Sequence, residues 1–175
     1  MKIGNKTLNG KHAKTAKQIQ SVMSKLKVGD TIISIDPSST SLGYAIFELT
    51  TEGWAKIDSG AIKAKGAINE RLHSLSVELG VWIRPSAVFV ELIGGSTGHK
   101  YLVWSVGMVA TTFPYCPLVE VQTGLWKKFV DKNYSKSDEN DAIAIGNCAI
   151  EISKHKEPIS ETIKKTISSR RNKTN

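Results

Sequence analysis

Four acidic residues stand at positions where carboxylates do chemistry. Asp36 ends a β-branched run, Glu91 ends a short apolar run, and Asp138 and Asp141 lie three apart at the head of a helical pattern. Taken singly, most have a simpler explanation. An acid after a strand is commonly a turn residue, and Asp36 is followed by Pro37-Ser-Ser-Thr. Asp138 and Asp141 suit a helix N-terminus, where the dipole favours negative charge and Ser135 or Ser137 would supply the cap. Glu91 resists such a reading, because a carboxylate after Ala87-Val-Phe-Val in a central strand is costly to bury unpaired.

As a set they point to one chemistry. If adjacent strands bring Asp36 and Glu91 to one edge and a helix adds Asp138 and Asp141 from one face, the crowded charges raise one another's pKa unless cations hold them. Hard oxygen ligands select Mg²⁺ or Mn²⁺. Two such ions roughly 4 Å apart activate water and stabilise a leaving 3′ oxygen in an in-line displacement, which is phosphodiester hydrolysis.

The elements that must position these acids follow from the pattern of the chain. Thr31 to Ile35 reads as a strand ending at Asp36, Leu42 to Leu49 as a second, and Trp54 to Gly60 as a third after the Thr51-Glu52-Gly53 turn. Short turns between them predict an antiparallel meander. Leu72, Leu75, Leu79, Trp82 and Ile83 then recur at helical spacing up to Arg84-Pro85. Ala87 to Val90 has the continuous apolar character of a strand buried on both faces. A second helix is predicted from Tyr101 to Phe113, a last strand from Leu118 to Val121, and a helix from Asp141 to Ile152 with Ala142, Ile145, Ala149 and Ile152 on one side. The order βββ-α-β-α-β-α predicts an α/β fold: a five-stranded mixed sheet, three antiparallel strands plus two parallel, flanked by helices.

Composition narrows the function classes. No apolar run approaches the roughly 20 residues of a membrane span, and the Lys-rich start lacks a secretory signal's apolar segment, so a cytoplasmic or nucleoid protein is expected. Cys116 and Cys148 fit neither a disulfide framework nor zinc spacing and are expected to be free thiols. The net charge of +8 is unevenly spread: residues 1–28 hold seven lysines and no acid, whereas residues 29–154 hold eleven basic residues against fourteen acids. Residues 155–175 are basic again. This divides the chain into a basic N-terminal arm (1–28), with Ile19, Val22, Met23 and Leu26 at helical spacing, a central domain (29–154) and a basic tail (155–175). Basic ends suit a nucleic-acid partner, and an acidic centre suits bound divalent metal.

Four segments resemble the RuvC-like Holliday-junction resolvases of the RNase H superfamily. Ile-Ile-Ser-Ile-Asp36-Pro-Ser-Ser-Thr-Ser-Leu-Gly43-Tyr-Ala is similar to their first strand, catalytic Asp, turn and second strand. Arg71-Leu-His-Ser-Leu, continuing through Arg84-Pro85-Ser-Ala-Val-Phe-Val-Glu91, is similar to their first helix and the strand ending in the catalytic Glu. Trp104-Ser-Val-Gly107-Met-Val-Ala resembles the start of their second helix, and Asp138-Glu-Asn-Asp141-Ala-Ile-Ala-Ile their last pair of catalytic acids. The match spans about residues 30 to 152.

The resemblance implies an RNase H-like fold and a homodimer with one active site per subunit, cutting two strands of a four-way junction symmetrically. It makes Asp36, Glu91, Asp138 and Asp141 the catalytic metal ligands. Two departures stand out: Ser38 replaces a residue that is usually glycine, and the stretch between Val121 and Asp138 is short for the helix the family has there. The shortening leaves Glu139 as the alternative to Asp138.

The glycine-rich loop after Glu91 lies where the family enters the junction, with His99, Lys100 and Tyr101 beside it as expected DNA contacts. Lys127, Lys128, Lys132 and Lys136 precede the last acids and are expected to face phosphate; a solvated basic loop is the plainer alternative. Trp82, Trp104 and Trp126 are read as core or dimer-interface residues, and His73 as structural. Two other functions stay open beside junction resolution: the same chemistry on flaps, other branched DNA or RNA–DNA hybrids, and a non-catalytic DNA-binding relative.

Overall fold

In a computed structural model that describes residues 1–82, 84–92, 100–131 and 133–155, the chain opens with a small hairpin of β1 (Lys2–Ile3) and β2 (Lys6–Thr7), followed by helix α1 (Gly10–Met23). Three strands then form a meander: β3 (Thr31–Asp36), β4 (Ser41–Thr50) and β5 (Gly53–Lys63). Helix α2 (Ile68–Trp82) leads to β6 (Ala87–Leu92), and α3 (Lys100–Thr112) leads to β7 (Leu118–Gln122). A single turn, α4 (Thr123–Trp126), precedes the long helix α5 (Asp138–Lys154).

The main sheet has the order β5-β4-β3-β6-β7. β3 pairs antiparallel with β4 and parallel with β6, and β7 continues the parallel half. This is the mixed five-stranded sheet the sequence predicts. β6 is buried over its first four residues, as a strand covered on both faces must be.

Side-chain alternation sorts the core into two layers. Ile33, Ile35, Val88 and Val90 face α2 and α3, packing with Leu75, Leu79, Val109 and Phe113. Ile32, Ala87 and Phe89 face the other way, into a cluster with Ala142, Ile145, Cys148 and Ala149 of α5. That second layer also contains Ile3, Leu8, Ala16, Ile19 and Met23. The sequence sets residues 1–28 apart as an arm; in the fold, residues 1–23 supply core side chains, and α1 packs on α5 and β7.

Two contacts fix the depth of α5 over the sheet. Ser34, fully buried in the central strand, lies with its hydroxyl 2.7 Å from the Ala142 carbonyl of α5, to which it donates. Gly146 passes over Phe47 and Ser34 so closely that a Cβ would overlap them. The Ser34 hydroxyl also lies 3.2 Å from the Ala45 carbonyl of β4, a longer alternative acceptor, so Ser34 bridges the sheet and α5.

Candidate active site

The register of the sheet brings the first two acids together. β3 and β6 run parallel with Ile35 opposite Val90, so Asp36 and Glu91 follow at adjacent strand ends. Both fall on the α5 side by alternation, in phase with Ser34 and Phe89. The start of α5 closes the site from above. Its cap is Ser137, whose side chain accepts the Asn140 N–H at 3.1 Å. Gly43, paired with Asp36 across β3 and β4, is where α5 comes closest: a Cβ there would overlap the Asp138 carbonyl.

Each acid has a distinct environment. Glu91 is held by α4: its Oε1 accepts the Thr123 hydroxyl at 2.7 Å and the Trp126 indole N–H at 3.0 Å. Asp138 accepts a hydrogen bond from the Ser41 hydroxyl. Asp141 is buried, 8% exposed, and its Oδ1 has no hydrogen-bond partner. Glu139 is drawn away to the edge strand, where Ser59 of β5 donates to it at 2.7 Å.

Electrostatics ties the four together. Burial, then a hydrogen bond to Glu91 and the charges of Glu91, Asp141 and Asp138, push the Asp36 carboxyl up to about 8. Burial and the charge of Glu91 also raise Asp141, partly offset by Lys127. Glu139 is not among the groups that perturb Asp36, whereas Asp138 is. The position left open between Asp138 and Glu139 thus has a geometric difference: Asp138 faces the cluster and Glu139 faces Ser59.

The donor set fits a hard divalent cation. It is all oxygen, it is overloaded with negative charge, and it contains a buried carboxylate oxygen with no partner. As the side chains stand, no three acid, imidazole or thiol groups among the described residues converge on a common metal position. Without a cation, burial and the neighbouring carboxylates favour the protonated form of Asp36.

The residues expected to touch DNA are dispersed around this centre. Lys127 is exposed, reaches Asp141 electrostatically and lies 5.3 Å from the Trp126 ring centroid. Lys128 is exposed and acts on His12 of α1. Lys136 is exposed ahead of α5, and Tyr101 is exposed on α3, edge-on to Trp104 at 5.6 Å. His99, Lys132 and the side chain of Lys100 lie outside the described residues, as does all of 156–175.

Several site residues were not singled out by sequence. Ser41 and Ser59 carry no local signal, and Thr123 and Trp126 become recognisable only as the turn that follows the strand beside Glu91. Trp126 is a core residue as expected, 1% exposed, but its indole nitrogen also serves the site.

The five-stranded mixed sheet flanked by helices has the fold seen in solved RuvC-like resolvases. Solved structures bear the fold out. Thermus thermophilus RuvC is similar over 67% of this chain and 92% of its own, with a TM-score of 0.58 and 17% identity. The same protein in complex with a Holliday junction substrate gives 0.55 and 18%, over 67% and 91%. The yeast mitochondrial Holliday junction resolvase is similar over 82% of this chain and 94% of its own, with a TM-score of 0.54 and 7% identity. By sequence, the chain matches no family model and no curated protein. Among the described residues no helix is long and apolar enough to cross a membrane.

Proposed function

We propose that this protein is a metal-dependent endonuclease that hydrolyses phosphodiester bonds in branched DNA, with the four-way junction as its substrate. The observation that supports this is the crowding of Glu91, Asp138 and Asp141 against Asp36 at one edge of the sheet, close enough to perturb its ionisation, with Asp141 Oδ1 buried and unpaired. These four residues would hold Mg²⁺ or Mn²⁺, two ions per site. When bound, the ions supply Lewis-acid activation of water and of the scissile phosphate.

The chain's own groups do the rest. Thr123 and Trp126 fix one oxygen of Glu91, leaving its second oxygen to the centre. With cations bound, Asp36 would serve as an ionised ligand to them. Ser41 orients Asp138, and Lys127 offers positive charge to a phosphate as negative charge grows on it. The oxygen of water would bond to phosphorus as its proton passes to solvent, and the bond to the 3′ oxygen would break, with solvent protonating the leaving oxygen to give a 5′ phosphate and a 3′ hydroxyl.

The solved neighbour that holds a Holliday junction supports the choice of substrate. Paired symmetric cuts require two sites, hence a homodimer; Val103 and Trp104 of α3, 68% and 47% exposed, offer it an apolar face. For this chain we propose action where the DNA is, in the cytoplasm or nucleoid.

The test compares a synthetic four-way junction with duplex, flap and RNA–DNA hybrid, in Mg²⁺, Mn²⁺ or EDTA, for wild type and Glu91→Gln. Paired symmetric nicks in the junction alone are expected, lost in EDTA and in the variant. A junction bound but uncut in both metals would favour a non-catalytic DNA-binding relative; cutting of flaps or hybrids instead would keep the chemistry and change the substrate.

A further inference from the structure

Helix α1 carries cations to the edge of the carboxylate centre. Its buried side, Thr15, Ala16, Ile19 and Met23, is fixed in the core against α5 and β7. Lys11 and Lys14 are therefore held outward and are exposed. Three residues apart on one helix, they share a face with Cβ atoms about 5–6 Å from each other. They form one wall of a groove of about 500 Å³ whose other wall includes Leu92 of β6 and Glu120 and Gln122 of β7.

That groove leads to the site. Leu92 directly follows Glu91, and Gln122 directly precedes Thr123, which holds Glu91. On the α4 side, a Cβ on Gly124 would come within 3.2 Å of the His12 ring of α1, and His12 feels the charge of Lys128. Lys127, next in the chain, acts on Asp141. Lys11 and Lys14 thus stand on the groove side of α1, while His12 of the same helix meets the α4 side that carries Lys128 and Lys127. Glu120 is the acid of the groove, and neither Lys11 nor Lys14 forms an ion pair among the described residues.

Two exposed lysines on a helix face fixed by the core, above a groove floored by Leu92, Leu118 and Val119 next to the carboxylate centre, match a polyanion held through its phosphates by point charges rather than read through its bases. We infer that the Lys11 and Lys14 face of α1, with the groove beside β7, binds the phosphate backbone of a duplex arm leading away from the cut site. The inference rests on the branched-DNA reading above. It gives the N-terminal helix two roles: its inner side fills the core and its outer side extends the DNA surface beyond the carboxylates.

The experiment measures binding of a labelled four-way junction to the full chain across a salt series in EDTA, so that no strand is cut. Wild type is compared with K11A/K14A and with K11R/K14R. K11A/K14A is expected to weaken binding and to lower the slope of log K against log salt by about 1.8, or 0.9 for each phosphate no longer neutralised, with K11R/K14R matching wild type. An unchanged affinity and slope in K11A/K14A overturns the inference, as does a loss that K11R/K14R shares, since that would mark packing rather than charge. Both lysines are exposed, so circular dichroism should show the same fold in all three proteins. If wild type itself binds no branched DNA, the nuclease reading fails and this inference with it; if wild type binds and cuts while K11A/K14A behaves identically, the α1 inference alone fails.

Discussion

At Asp36, burial and three neighbouring acids all oppose ionisation. The unfolded chain would ionise this group near its ordinary value of 3.8, whereas the folded chain holds the proton up to about 8. Between those values the native state binds more protons than the unfolded state. The stability that Asp36 contributes is therefore full below the unfolded pKa and is lost as pH rises through the folded one. Asp141, also raised, works in the same direction; His12, lowered by burial and Lys128, works in the opposite one. Metal-free protein should thus lose Tm on going from pH 5 to pH 8 by more than Asp36→Asn does, and the variant should be the more stable of the two at pH 8. Thermal denaturation in chelator checks this, and equal pH slopes for the two proteins would show that the acids are not crowded in solution. Added Mg²⁺ should recover part of the wild-type loss at pH 8 and less of the variant's, because cations stabilise the ionised cluster.

Among the elements, α5 bears most directly on the site, since it delivers Asp138 and Asp141 onto strands that carry Asp36 and Glu91. Its seat depends on what is missing as much as on what is present: no Cβ at Gly43 under the Asp138 carbonyl and none at Gly146 over Phe47 and Ser34. Gly43→Ala forces the first turn of α5 off the sheet. Overpacking of this kind typically costs about 1–3 kcal/mol. The predicted outcome is a folded protein, destabilised by about that amount in urea, whose junction cleavage falls far more than its stability because two of four carboxylates are displaced. If cleavage declined only in proportion to the folded fraction, α5 would not be setting the geometry. The single turn α4 has a parallel role at Glu91, where Thr123 and Trp126 restrict one carboxylate oxygen. The sequence offers no helix period over four residues, so this element and its purpose appear only once β7 is set beside β6.

At the scale of the molecule, the proposed symmetric cutting would need a second copy, and the exposed apolar residues of α3 are the surface proposed for it. Val103 and Trp104 are exposed apolar residues on the side of α3 away from the core, and Tyr101 stacks edge-on to Trp104. Glutamates at both positions, V103E/W104E, should convert a dimer to a monomer in sedimentation and turn paired junction cuts into single nicks. A wild type that sediments as a monomer at concentrations where it makes paired cuts would refute that interface.

The sequence by itself determined the sheet and its carboxylate edge. Strands β3 and β6 are β-branched or continuously apolar and end at an acid, turn residues stand between the meander strands, and Ala142, Ile145, Ala149 and Ile152 mark the inner face of α5. These are local patterns with periods of two or about 3.6, so neighbouring residues suffice to state them. Only the tertiary structure decided the rest. Asp138 and Glu139 are adjacent in the chain and equal in charge, and what separates them is Ser41 on one side and Ser59 on the other, each brought in by long-range strand pairing. Residues 1–28 read as a basic arm with one narrow apolar stripe, whose docking place the sequence leaves open, and burying that stripe is what binds α1 to α5 and β7. Partners distant in sequence are chosen by packing and hydrogen-bond satisfaction, which no single stretch of the chain contains.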